Sequence, residues 1–160
     1  MMTRKENPSR PLFCYGTLRA STVMKAVTGH TYPGGAATLN GYAMFRVKGT
    51  EYPAIIPQKG GVVPGTLYEG LDEESLLVLD HFEGDPYSRD IVTVVTSVGD
   101  RVNAYVYVLR DACMDILSNE KWDFNSFMAH DIDRFMGGFV KERKRDAKRY
   151  RRVNTQEDIF

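Results

Sequence analysis

Leu79-Asp80-His81-Phe82-Glu83-Gly84-Asp85-Pro86-Tyr87-Ser88-Arg89 closes an amphipathic helix and leads through a Gly/Pro turn into a strand. Upstream, Asp72 is a good N-cap for a helix over 73–82, whose Leu76, Leu77, Leu79 and Phe82 fall at helical spacing. One carboxylate, Glu83, is left among Leu79, Phe82 and Tyr87 just before the turn. It faces the negative end of the helix dipole. Apolar neighbours penalise its charge further, raising a carboxyl pKa from about 4.3 toward the range where a general acid or base is useful. Glu83 is therefore a candidate catalytic group, although without a wider pattern a solvated helix-end residue is the default reading. Asp80 and Asp85 read as capping and turn residues, and Arg89 as a salt-bridge partner.

Beyond the turn, 87–97 and 102–109 form a hairpin across Gly99-Asp100, the second strand alternating Ala104, Val106 and Val108 with Tyr105 and Tyr107. Tyr87 is either a core aromatic or a hydroxyl donor to a substrate, and the strand tyrosines can edge a cavity. Before the helix, 62–71 reads as a strand entered through a turn at Gly60-Gly61, and 52–57 is bounded by prolines that keep it off the middle of a sheet. Residues 36–47 are strand-like. Pro11-Leu12-Phe13-Cys14-Tyr15 is a buried strand ended by the turn Gly16-Thr17, and Ser21 starts a short helix that stops at Gly29. Phe124, Phe127, Met128, Ile132, Phe135 and Phe139 mark a long C-terminal helix capped by Asp123 or Asn125. Strands outnumber helices without regular alternation, which predicts an α+β fold with a strongly curved sheet.

With 160 residues, 42% of them hydrophobic, the chain holds one core. It divides into a frayed start at 1–10, a domain at 11–140 and a basic tail at 141–160. Cys14 and Cys113 do not make a disulfide framework, and reduced thiols fit a cytoplasmic protein. No apolar run approaches the roughly 18 residues of a membrane span, and the polar opening lacks a signal-peptide core. His30, His81 and His130 show no metal-ligand spacing, so neither a metal nor a cofactor is expected. Strand alternation sets Cys14 opposite Phe13 and Tyr15, and no histidine is placed to activate it as a nucleophile. The formal charge is zero, yet Lys141, Arg143, Lys144, Arg145, Lys148, Arg149, Arg151 and Arg152 against Glu142 and Asp146 give that run a net +6. It reads as a solvated helix end or tail that can bind an acidic partner, RNA or anionic lipid. The lack of interleaved aromatics argues against specific nucleic-acid binding.

The turn Tyr15-Gly16-Thr17-Leu18 directly follows a buried strand, and its glycine permits φ angles that let successive N–H groups converge on an anion. Taken with Gly41-Tyr42, Tyr52-Pro53-Ala54, Gly65-Thr66-Leu67-Tyr68 and the run from Leu79-Asp80 through Glu83-Gly84 to Tyr87 and Arg89, it resembles the γ-glutamylcyclotransferase-like family, in its AIG2-like and γ-glutamylamine cyclotransferase branch. The resemblance spans 12–109 in order, and 122–140 resembles the helical extension of AIG2-like members. It implies a small mixed β-barrel with flanking helices, whose cavity takes a γ-glutamyl group and yields 5-oxoproline and a free amine. Carried over, the catalytic glutamate falls on Glu83 and the substrate-binding turn on Tyr15, Gly16, Thr17 and Leu18. Such a reaction needs no triad or metal, because the substrate's own α-amine is the nucleophile. The alternative is a non-catalytic member of the same fold that acts through its cavity and basic tail.

Overall fold

Five strands carry apolar side chains on both faces, and the chain satisfies both by closing the sheet and wrapping helices against its outside. The computed structural model describes residues 10–143. Of the expected frayed start at 1–10 all but Arg10, and of the expected basic tail at 141–160 all beyond Arg143, lie outside the described residues. The order is β1 (Leu12–Cys14), a 3₁₀ turn (Thr17–Arg19), α1 (Ser21–Thr28), β2 (Gly34–Arg46), β3 (Pro53–Tyr68), α2 (Glu73–Glu83), β4 (Tyr87–Thr96), β5 (Arg101–Leu109) and a 3₁₀ segment (Asp111–Ile116). The C-terminal helix α3 begins at Phe124, includes π-helical turns at Phe127–Asp131 and Met136–Val140, and continues through Arg143. The strands form a closed barrel in the order β1-β3-β2-β4-β5, sealed by a parallel pairing of Leu12 with Tyr105. The fold is the expected α+β barrel with flanking helices.

Alternation sorts the core into two parts. Phe13, Leu39, Ile55, Val63, Val94 and Val106 come from all five strands and fill the barrel. Leu12, Cys14, Tyr107 and their strand neighbours face outward and pack with Val23 and Met24 of α1, Leu76, Leu79 and Phe82 of α2, and Phe127 and Phe135 of α3. Each buried Leu, Val or Phe side chain contributes about 1.5–3 kcal/mol. The caps are side-chain carboxylates: Asp72 accepts from the Ser75 N–H at 2.8 Å and Asp123, rather than Asn125, from the Ser126 N–H at 2.7 Å.

One sequence expectation fails locally. Gly60-Gly61 does not turn the chain between strands. β3 runs through it, bent opposite an irregularity in β2 between Asn40 and Tyr42. A Cβ on Gly61 would stand 2.2 Å from the Tyr42 carbonyl oxygen, so the glycine permits a close backbone crossing. The proline-bounded 52–57 stretch stays off the middle of the sheet, as expected: it pairs on one side only, Pro53 with Arg46 and Pro57 with Tyr42. The prolines are tolerated because β1 pairs with β3 only over Thr66–Tyr68, so the missing N–H groups deprive no second partner strand.

Asp80 is neither a cap nor a turn residue in its side chain. Its carboxylate accepts from Arg89 Nε at 2.8 Å and Nη2 at 3.1 Å, and from the Tyr107 hydroxyl at 2.7 Å. Arg89 also lies 4.4 Å over the Tyr105 ring. The network fastens the last turn of α2 to β4 and β5. The expected salt-bridge role of Arg89 is thus observed. Asp80→Ala should cost about 1–3 kcal/mol in urea unfolding, because it strands two donors. Asp85→Ala, at an exposed position, should stay within about 0.5 kcal/mol. Equal effects would contradict this fastening.

Candidate active site

Tyr15, Gly16, Thr17, Leu18, Glu83 and Tyr87, the six site residues expected from sequence, line one cavity of about 40 Å³. β1 delivers the turn and α2 delivers the acid. The 3₁₀ turn is held by the Arg19 N–H donating to the Gly16 carbonyl and the Ala20 N–H to the Thr17 carbonyl. Among the described residues, the N–H groups of Gly16, Thr17 and Leu18 at its N-terminal end donate to no main-chain carbonyl. The role expected of Gly16 is corrected in one respect. Its φ is −110°, not positive. The glycine is needed because a Cβ would lie 3.0 Å from both Cγ and Cδ of Pro53, which forms the facing wall.

Tyrosine hydroxyls donate to main-chain carbonyls and brace the walls. Tyr15 donates to Tyr107 O at 2.7 Å, Tyr87 to Pro53 O at 2.9 Å, and Tyr68 to Leu18 O at 2.8 Å. Burial pushes the Tyr15 and Tyr87 hydroxyls well above the usual tyrosine range, so both stay neutral. Tyr87 is therefore both core and cavity wall; its proton is engaged, and its oxygen retains acceptor capacity. Burial, then the nearby Glu83, likewise push the Cys14 thiol up, which disfavours the thiolate a nucleophile requires.

Glu83 is the last residue of α2. Burial is the main cause that pushes its carboxyl up to about 8; Asp80 adds to the rise and Arg143 opposes it. Phe13, Cys14, Tyr52, Pro53, Phe82, Tyr107, Phe135 and Phe139 complete the lining. The phenylalanines and Arg143 were not singled out as site residues from sequence. Their spacing at 135, 139 and 143, one helical face, is the signal that points to them. Among the described residues no group of three or more His, Cys, Asp or Glu is arranged to hold a metal ion, and no helix is long and apolar enough to cross a membrane.

The raised carboxyl pKa has a consequence for stability. Folded Glu83 holds its proton more tightly than unfolded Glu83, so its contribution is fully present below pH about 4.5 and is lost as pH rises through about 8. Glu83→Gln carries no such loss. Its stability relative to wild type should climb by up to about 1.4 kcal/mol per pH unit across that window and level off above it. Paired unfolding curves from pH 4 to 9 read this directly; a gap that does not vary with pH would contradict it.

The family described as "Gamma-glutamyl cyclotransferase, AIG2-like" matches residues 12–124. Among curated relatives, the chain is 31% identical over 152 residues to AIG2-like protein C of Arabidopsis thaliana, covering 93% of this chain and 88% of the relative. An Arabidopsis thaliana protein solved in solution superposes with a TM-score of 0.63 at 27% identity, covering 81% of this chain and 87% of that one. A structure named gamma-glutamyl cyclotransferase superposes with a TM-score of 0.56 at 18% identity over 63% of this chain and 66% of that one, a likeness of fold. The family match and the relative's coverage lead to one assignment: the chain belongs to the AIG2-like γ-glutamyl cyclotransferase family.

Proposed function

We propose that the protein cyclises a γ-glutamyl amine or amide to 5-oxoproline with release of the amine, Glu83 moving the proton. The observation that carries this reading is that a carboxyl with its pKa pushed up to about 8 shares one cavity with the Tyr15–Leu18 turn. The substrate's α-carboxylate would accept from the turn's N–H groups. Glu83, as the carboxylate, removes a proton from the α-ammonium. The freed amine nitrogen attacks the γ-carbonyl carbon and the five-membered ring closes. The bond to the departing amine then breaks as Glu83 returns the first proton to that nitrogen, and Glu83 next carries the ring nitrogen's second proton to the released amine, leaving a neutral lactam and an ammonium product. Because the nucleophile is tethered, orientation supplies much of the rate, and one acid/base group serves each transfer. The tyrosine walls exclude water while the charges shift.

A second reading, a non-catalytic binding module recruiting an acidic partner through its tail, is favoured by the cavity's size. Its 40 Å³ lies below the roughly 300–1,000 Å³ of ligand pockets and admits only a few water molecules. Measuring 5-oxoproline release from a panel of γ-glutamyl amines and peptides separates the two. The enzyme reading expects turnover whose kcat/KM rises with pH through about 8 as Glu83 ionises, and a fall in kcat of about 10²-fold or more in Glu83→Gln. Absence of turnover on every compound, or a Glu83→Gln enzyme within a few-fold of wild type, would favour the binding module.

A further inference from the structure

The face of α3 nearest the cavity carries Phe135, Phe139 and Arg143 in successive turns. The Phe135 and Phe139 rings stack at 5.1 Å and 16°, Phe139 meets Phe82 edge-on at 5.6 Å and Tyr52 at 4.9 Å, and the Arg143 guanidinium lies 4.9 Å over the Phe139 ring. The same guanidinium closes on Gly84, the residue after Glu83: a Cβ there would stand 3.3 Å from Arg143 Nη1. This stripe lies wholly beyond the 12–124 span matched by the family.

We propose that Arg143 is a positioning residue of the site, a cation seated on Phe139 and against Gly84 so that it acts on Glu83 from the end of α3. The proposal rests on the acid/base reading of Glu83 for its catalytic consequence only. From β1, Cys14 and Tyr15 face Glu83; from the β2–β3 connection, Tyr52; from β4 and β5, Tyr87 and Tyr107. All five are pushed upward, chiefly by burial, and stay neutral. On α2 itself Asp80 opposes ionisation of Glu83, but its charge is paired with Arg89. Among the described residues Arg143 is then the cation that favours the carboxylate, and no contact ion pair between the two quenches the proton acceptor. Without such a charge the buried acid would ionise only at still higher pH, and the carboxylate fraction able to accept the ammonium proton at pH 7 would shrink further. One placed in direct contact with an arginine would be too weak a base. The stacked aromatics set the intermediate arrangement, and the lost freedom of the long side chain is offset by its contact with the ring.

The test is the titration of the Glu83 carboxyl carbon by NMR in the full-length protein without substrate, for wild type, Arg143→Gln and Arg143→Lys, with assignment by Glu83→Gln. Arg143→Gln should move the midpoint upward by about one pH unit, and Arg143→Lys should leave it near the wild-type value. In turnover assays, the Gln variant should lose about tenfold in kcat/KM at pH 7 and regain most of it above pH 9. An unchanged midpoint in Arg143→Gln overturns the proposal, whether or not the protein turns over a γ-glutamyl compound. An equal shift in Arg143→Lys overturns it too, since loss of packing rather than charge would be responsible. A shifted midpoint with no turnover of any substrate upholds the placement of Arg143 and defeats only the reading of the site as an enzyme.

Discussion

Partial withdrawal of the Glu83 carboxyl from water is the constraint on which the site depends. In bulk solvent this group would be an ordinary anion with little basicity at neutral pH. At the end of α2 it is enclosed by tyrosine and phenylalanine rings, and burial dominates the rise in its pKa. That rise carries a cost in folding stability at neutral and alkaline pH. The surrounding elements are arranged to sustain it. The Asp80–Arg89–Tyr107 network holds the helix end in register with β4 and β5, one turn away from the acid itself. The Asp80 side chain is thereby engaged by Arg89 and Tyr107, and Glu83, pushed up to about 8, has no such partner among the described residues.

The opposite wall is built by different means. A three-residue strand supplies the Tyr15–Leu18 turn, and so short an element needs external support. Tyr68 hydrogen-bonds the Leu18 carbonyl, Tyr15 crosses to the main chain of β5, and Tyr87 crosses to Pro53 at the start of β3. These hydroxyls bind carbonyls, so the turn's own N–H groups remain available. Backbone donors held in a rigid frame lose little by reorganisation when charge develops, which is what stabilisation of an oxyanion asks of a site. α3 then closes the remaining side with Phe135 and Phe139 and brings Arg143 to the helix end. β1 thus leads into the turn and α2 carries the acid, while α3 adds Phe135 and Phe139 to the lining.

Much of this architecture was legible in the sequence because its signals are local. Asp72 and Asp123 announce their helices by capping chemistry, and alternation in Ala104–Val108 and Phe13–Tyr15 separates the barrel interior from the helix-packing face. Glu83 stood out as a carboxylate at the unfavourable end of a helix dipole among apolar neighbours. Its meeting with the N-terminal turn rested on the ordered family motifs, because no local rule brings distant segments into one hollow. Pro53 and Pro57 were legible, reading as residues that keep their stretch off the middle of a sheet, where their strand indeed lacks a second neighbour. The failures follow the same division. Gly60-Gly61 read as a turn, yet the pair allows a crossing against Tyr42. Asp80 read as a local cap, whereas its partners lie on β4 and β5. Arg143 was submerged in a run of basic residues, and only its helical spacing from Phe135 and Phe139 sets it apart.

The central claim is that the acid and the backbone amides serve one bound molecule. Titrating the ¹⁵N-labelled protein, also ¹³C-labelled at glutamate carboxyls, with 5-oxoproline tests this most directly. The account predicts that the amides of Gly16, Thr17 and Leu18 and the Glu83 carboxyl carbon shift together, along one saturating curve. Shifts confined to other surfaces, or amides and carboxyl responding with unrelated affinities, would contradict it.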